Sequence, residues 1–163
     1  MSAGQVPLED AGFVRLAAAV PLHADAAAVA AVLRAGPPGW SPVSDGGEPR
    51  RFLVDLRLRL GTDHAGLVTF RKAAYVDLGS VTEADGVFNA EISWQAAGAA
   101  PLFPVFAGEL RVDAGEVSIQ GLYAPPGGIV GRLADRTLLH VAATGTARWL
   151  LAELDRLALG AAA

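Results

Sequence analysis

Arg51-Phe52-Leu53-Val54-Asp55-Leu56-Arg57-Leu58-Arg59-Leu60 is the stretch that decides the class of fold. Phe52, Val54, Leu56, Leu58 and Leu60 share one parity, against Arg51, Leu53, Asp55, Arg57 and Arg59 on the other. Successive side chains of a strand point to opposite faces, so this pattern makes a strand with one dry and one wet face, the habit of an antiparallel sheet. The same period returns downstream, where Phe88, Ala90, Ile92 and Trp94 oppose Val87, Asn89, Glu91, Ser93 and Gln95. Between the two, Leu67 to Val81 reads as a long strand after a loop around Gly61 to Gly66. Val105 to Asp113 and Val117 to Ala124 follow, joined by the turn Asp113-Ala114-Gly115-Glu116. Consecutive strands with short connections predict an antiparallel meander.

Working back toward the start, Phe13 to Val20 is a strand closed by Pro21, with Val14, Leu16, Ala18 and Val20 on one side. Asp25 is the expected N-cap of a short helix over Ala26 to Ala35, stopped by Gly36, Pro37 and Pro38. Residues 1–12 are expected to be a flexible end, and residues 13–160 a single domain. Working forward, the period becomes helical after Pro125-Pro126-Gly127-Gly128. Leu133, Thr137, His140, Thr144, Ala147, Leu151, Leu154 and Ala158 step by three and four and line one face. A helix from Ile129 to Leu159 would be about 46 Å long, enough to lie across the whole sheet. It either starts later or bends, with Gly145 the candidate bend.

The chain has 163 residues, of which 52% are apolar and 18% charged, so it can build a core and is not of the disordered type. Its net charge of −4 argues against a nucleic-acid binder, which needs a basic surface. Cysteine is absent, which removes disulfides, thiol catalysis and cysteine zinc sites. No apolar run is long enough to span a membrane, and Met1 to Asp10 has no basic flank or apolar leader core, so a cytoplasmic protein is expected.

The order strand, short helix, antiparallel strands and long C-terminal helix resembles the helix-grip fold of the START/Bet v 1-like superfamily, which includes polyketide-cyclase-like proteins and ligand carriers. The resemblance spans Phe13 to Leu159. It rests most on Leu102-Phe103-Pro104-Val105-Phe106 with Gly108-Glu109-Leu110, on Gly121 to Gly128, and on Gly131 to Asp135 with Leu138 to Ala142. It implies an α+β domain in which a curved antiparallel sheet wraps around the C-terminal helix and leaves an apolar cavity between them. Small inward residues (Ala74, Ala90, Gly108) would leave room, and Phe70, Phe88, Phe106 and Trp94 would partly fill it.

Within that frame the candidate ligand-binding residues are Lys72, Phe88, Trp94, Phe106, Tyr123, Thr137, His140 and Thr144. Lys72 shares parity with Val68, Phe70, Ala74 and Val76. A regular strand turns it inward to pair with a ligand carboxylate, whereas a bulge at Ala73 or Ala74 turns it out to solvent. His140, with Thr137 and Thr144 one turn to either side, offers ligand hydrogen bonds or a general base; the structural alternative is a buried histidine bonded to a carbonyl or threonine. Trp94 and Tyr123 are either cavity wall or ordinary core. No serine or cysteine nucleophile with a matching base is visible, which argues against covalent catalysis. His23 and His64 are the other histidines, and Asp63-His64 alone makes no metal site. Gly127 to Arg132 matches no phosphate-loop pattern and reads as a turn into the helix. Arg57, Arg59 and Arg71 read as a solubilising stripe.

The expected function is therefore binding or carriage of a small hydrophobic or amphipathic ligand, by a monomer or homodimer with no cofactor. A cyclase- or dehydratase-like enzyme using the same cavity is the alternative. A protein-interaction domain using the apolar segment Ala99 to Phe106 is a third.

Overall fold

A computed structural model of the chain describes residues 13–43, 46–60, 68–98, 105–124 and 135–162, with side chains described throughout except at 58–60, 68–70 and 135–139. The elements run β1 (Val14–Pro21), α1 (Ala26–Ala35), β2 (Ser41–Pro42), β3 (Arg50–Leu60), β4 (Val68–Leu78), β5 (Thr82–Ala84), β6 (Val87–Ala96), β7 (Val105–Asp113), β8 (Glu116–Ala124) and α2 (Asp135–Ala161). The fold is α+β. One open eight-stranded sheet has the order β1-β8-β7-β6-β4-β3-β2, with β5 pairing β6 off this path. Every pairing is antiparallel. Helix α2 lies on this sheet in contact with β1 and β8 at one flank and β3 near the other, and α1 packs against α2. None of the described helices is long and apolar enough to cross a membrane.

The alternation read in the sequence sets the inner face. Phe52, Val54 and Leu56 on β3 are buried, as are Phe88, Ala90, Ile92 and Trp94 on β6 and Leu16 and Ala18 on β1. Registered pairs join them into rows across the sheet. One row is Val14, Tyr123, Phe106, Trp94, Val76 and Phe52; the next is Leu16, Gly121, Gly108, Ile92 and Leu78. Against these, α2 buries Ala142, Ala143, Thr146, Ala147, Leu150, Leu151, Leu154 and Ala158, a stripe at helical spacing.

Several local expectations need correction. Pro21 is the last residue of β1 rather than its stop; an edge strand tolerates a residue with no N–H. The strand expected to Val81 ends at Leu78, and Thr82–Ala84 forms a separate short strand. It turns back into β6 through Asp85-Gly86, with φ of 53° and 77°, the paired positive angles of a tight hairpin turn. Asp25 precedes α1 as expected, but its side chain makes no capping hydrogen bond; its carbonyl accepts the N–H groups of Ala28 and Val29 instead. Helix α2 runs through Gly145 without interruption. Residues 125–134, on which the expected start of that helix falls, lie outside the described residues.

Candidate functional site

The site is built around one sheet row. Gly108 on β7 and Gly121 on β8 are registered opposite each other. A Cβ on Gly108 would come within 2.6 Å of Phe106 Cζ and 2.7 Å of Gly121 Cα, and would also strike the carbonyl of Gln120. The missing side chains therefore let the two backbones approach and the Phe106 ring lie over them. That corrects the expectation that Gly108 leaves room for a ligand, because Phe106 takes the space. From this seat Phe106 stacks on Trp94, with ring centroids 4.2 Å apart and planes at 22°. Tyr123 follows Phe106 in the same row. Trp94, Phe106 and Tyr123 are each 1% exposed, so the three make a continuous aromatic wall on the inner face.

Helix α2 brings polar groups to one end of this wall. Tyr123 Oη lies 3.4 Å from His140 Nδ1, and the two rings are tilted with centroids 6.1 Å apart. His140 is exposed, not inward-facing as its helical phase suggested; among the described side chains of α2 the first buried one is Ala142. The pair consequently connects solvent to the wall. Thr144, one turn on, is half-buried, and its Oγ1 is fully covered without a hydrogen-bond partner among the described residues. Trp94 Nε1 and Thr146 Oγ1 are in the same condition. Covered polar atoms are nearly always partnered in native proteins, so each of these three atoms is a place where a further polar group would be accommodated.

Two candidates lie away from this cluster. Lys72 is registered opposite Leu56 in an unbroken ladder from Arg50 to Leu60, so no bulge turns it out. It shares the parity of buried Ala74 and Val76 and is half-buried. β4 pairs β6 only from Ala74 onward, so Lys72 stands at the rim where the β3–β4 hairpin runs beyond the rest of the sheet. Phe88 is buried six residues before Trp94 on β6, about 20 Å along the strand. It meets the Arg34 guanidinium at 5.5 Å and belongs to the α1 end of the core. The side chain of Thr137 lies outside the described residues. So do residues 99–104, most of the apolar segment considered for protein contacts; of its remainder, Phe106 is packed inside.

The sheet also carries an open groove on its outer face, opposite the seam. It has a volume of about 1150 Å³ and is lined by Arg15, Ala17, Glu91, Ser93, Ala107, Glu109, Gln120 and Leu122 beside the glycine pair. Glu91 and Glu109 face each other across β6 and β7 there.

Sequence reasoning missed the role of Asp155. It lies on the buried side of α2 and accepts the main-chain N–H groups of His23 and Ala24 at 2.9 and 2.8 Å, with His23 Nδ1 at 2.8 Å. Its signal was available: an acidic residue next to Leu154, one turn before Ala158, sits at the border of the apolar stripe. Among the described residues no group of His, Asp and Glu is arranged to hold a metal.

No protein-family model matches the chain, and no curated protein matches it.

Proposed function

We propose that the protein binds a small hydrophobic or amphipathic molecule at the seam between the inner face of the sheet and the first turns of α2, as a helix-grip carrier of the START/Bet v 1-like kind. The observation that carries this reading is the contact between exposed His140 and fully buried Tyr123, with the covered Thr144 hydroxyl one turn further along. A ligand's polar head meets these three groups, and its apolar body lies along the Phe106 and Trp94 rings. Aromatic side chains favour such a body through their large apolar area, while Tyr and His keep a polar edge toward the head. On this reading the protein acts in the cytoplasm as a monomer or homodimer, without a cofactor.

The same contact favours a second reading. A phenol and an imidazole within hydrogen-bonding reach can relay a proton, as a cyclase- or dehydratase-like enzyme would require. Native mass spectrometry of protein purified without detergent separates success from failure for both. A retained compound, lost in Tyr123→Phe with Thr144→Val, is the expected result. Apo protein alone, with no saturable binding of decanol or decanoate, overturns the ligand reading.

A further inference from the structure

We propose that Trp94 is a specificity-determining hydrogen-bond donor, and that the ligand of the seam carries an acceptor oxygen, a carbonyl or an ether, within its apolar body. This inference rests on the ligand reading given above and names the chemistry of the part of the molecule that reaches deepest.

Three observations carry it. Trp94 is 1% exposed, and its Nε1 is fully covered with no hydrogen-bond partner among the described residues. The indole N–H only donates, so an acceptor alone relieves it; a second hydroxyl or amide offers nothing more than its own oxygen. Trp94 is also fixed in place, stacked on Phe106 at 4.2 Å and registered against Phe106 on one side and Val76 on the other. The donor therefore cannot turn away to solvent.

The row adds a distance. Trp94 is two strands from Tyr123, about 10 Å at the usual spacing of neighbouring strands. The polar groups at the His140 end serve the head of the ligand, and the Trp94 N–H serves a second, separate oxygen set into the apolar portion. A plain hydrocarbon tail leaves this N–H unsatisfied. An uncompensated buried donor costs about 1–3 kcal/mol, which corresponds to a preference of about fivefold or more for a ligand that satisfies it.

The test compares methyl naphthyl ketone with its isopropenyl isostere, in which a methylene replaces the carbonyl oxygen at nearly constant shape. Each is titrated into the ¹⁵N-labelled full chain while the indole N–H resonances of Trp40, Trp94 and Trp149 are followed. The ketone is expected to bind about tenfold more tightly than the alkene and to move the Trp94 resonance downfield. The alkene should leave that resonance near its free position. Trp94→Phe should bring the two affinities together; if this variant does not fold, Trp40→Phe and Trp149→Phe assign the Trp94 resonance by elimination and the wild-type titration decides. Equal affinities with an unmoved Trp94 resonance overturn the inference and leave the ligand reading standing. Absence of saturable binding by either probe overturns both.

Discussion

Asp155, near the C-terminal end of α2, receives both the main-chain N–H and the ring of His23, at 2.9 and 2.8 Å, across 132 residues of sequence. The Ala24 N–H supplies a third hydrogen bond at 2.8 Å. One buried carboxylate thus holds the link between β1 and α1 against the last helix. Burial pushes the Asp155 carboxyl upward, but the hydrogen bonds from Ala24 and His23 outweigh it and leave its pKa below the usual carboxylate value.

The sign of the pH dependence follows. A group whose pKa is lower in the folded state stabilises fully above its unfolded pKa, and the contribution disappears as pH falls through the folded value. Asp155→Asn should therefore cost about 1–3 kcal/mol at neutral pH, with the gap to wild type shrinking as the acid range is entered. Urea unfolding at a series of pH values measures it. A gap that stays constant into acid would show that the charge of Asp155 contributes nothing.

Gly108 and Gly121 are the positions where a single methyl group does most damage. Either Ala substitution drives a Cβ into the Phe106 ring and the opposite backbone, which has no flexible end to yield. Gly108→Ala is expected to lose about 3 kcal/mol and to weaken the near-ultraviolet dichroism of the Trp94–Phe106 stack. Unchanged stability and dichroism would mean that the two strands are not in this close approach.

The covered threonines separate stability from binding. Thr146 and Thr144 both carry hydroxyls without partners among the described residues, and only Thr144 lies one turn from His140. Valine keeps the shape and removes the unsatisfied group, so both Thr→Val changes should raise stability by about 1 kcal/mol, or about 2–4 °C in Tm for a domain of this size. Thr144→Val alone should weaken decanol binding, by about fivefold. Equal effects of the two on binding would remove Thr144 from the site.

At the rim, away from His140, Tyr123 and Thr144, Lys72 offers a second seat for an anionic head and is expected to act only on ligands that carry one. Lys72→Met should reduce affinity for decanoate by about tenfold and leave decanol unaffected, as read by isothermal titration calorimetry. An unchanged decanoate affinity would make Lys72 a surface lysine that happens to follow the inner parity.

Much of this architecture was legible because strand alternation is a direct record of burial. β6 and β7 fall where the period of two placed them, and α1 lies between Asp25 and Gly36 as its bounding residues indicated. β2 and β5 are two and three residues long, too short to hold a period, although Asp85-Gly86 before Val87 is a hairpin signal that could have revealed β5. Sequence reasoning chose Trp94, Phe106 and Tyr123 individually, yet nothing in it could show that they share a row, since that depends on the register of three strands. Helical phase misjudged His140 for a related reason. Phase fixes which side of a helix a residue occupies, while burial also depends on where along the helix the neighbouring stripe begins. For Asp155 the local pattern shows only an acidic residue at the border of the apolar stripe; its partners lie 131 and 132 residues away, where no local pattern reaches.

The central claim is that the molecule enters the seam and not some other concavity of the sheet. Isotope-filtered nuclear Overhauser spectroscopy of the labelled chain with unlabelled methyl naphthyl ketone tests it directly. The account predicts cross-peaks from the naphthyl protons to the rings of Trp94, Phe106 and Tyr123 and to the methyl group of Thr144. Cross-peaks confined to Ala107 and Leu122, in the groove on the outer face, would contradict it.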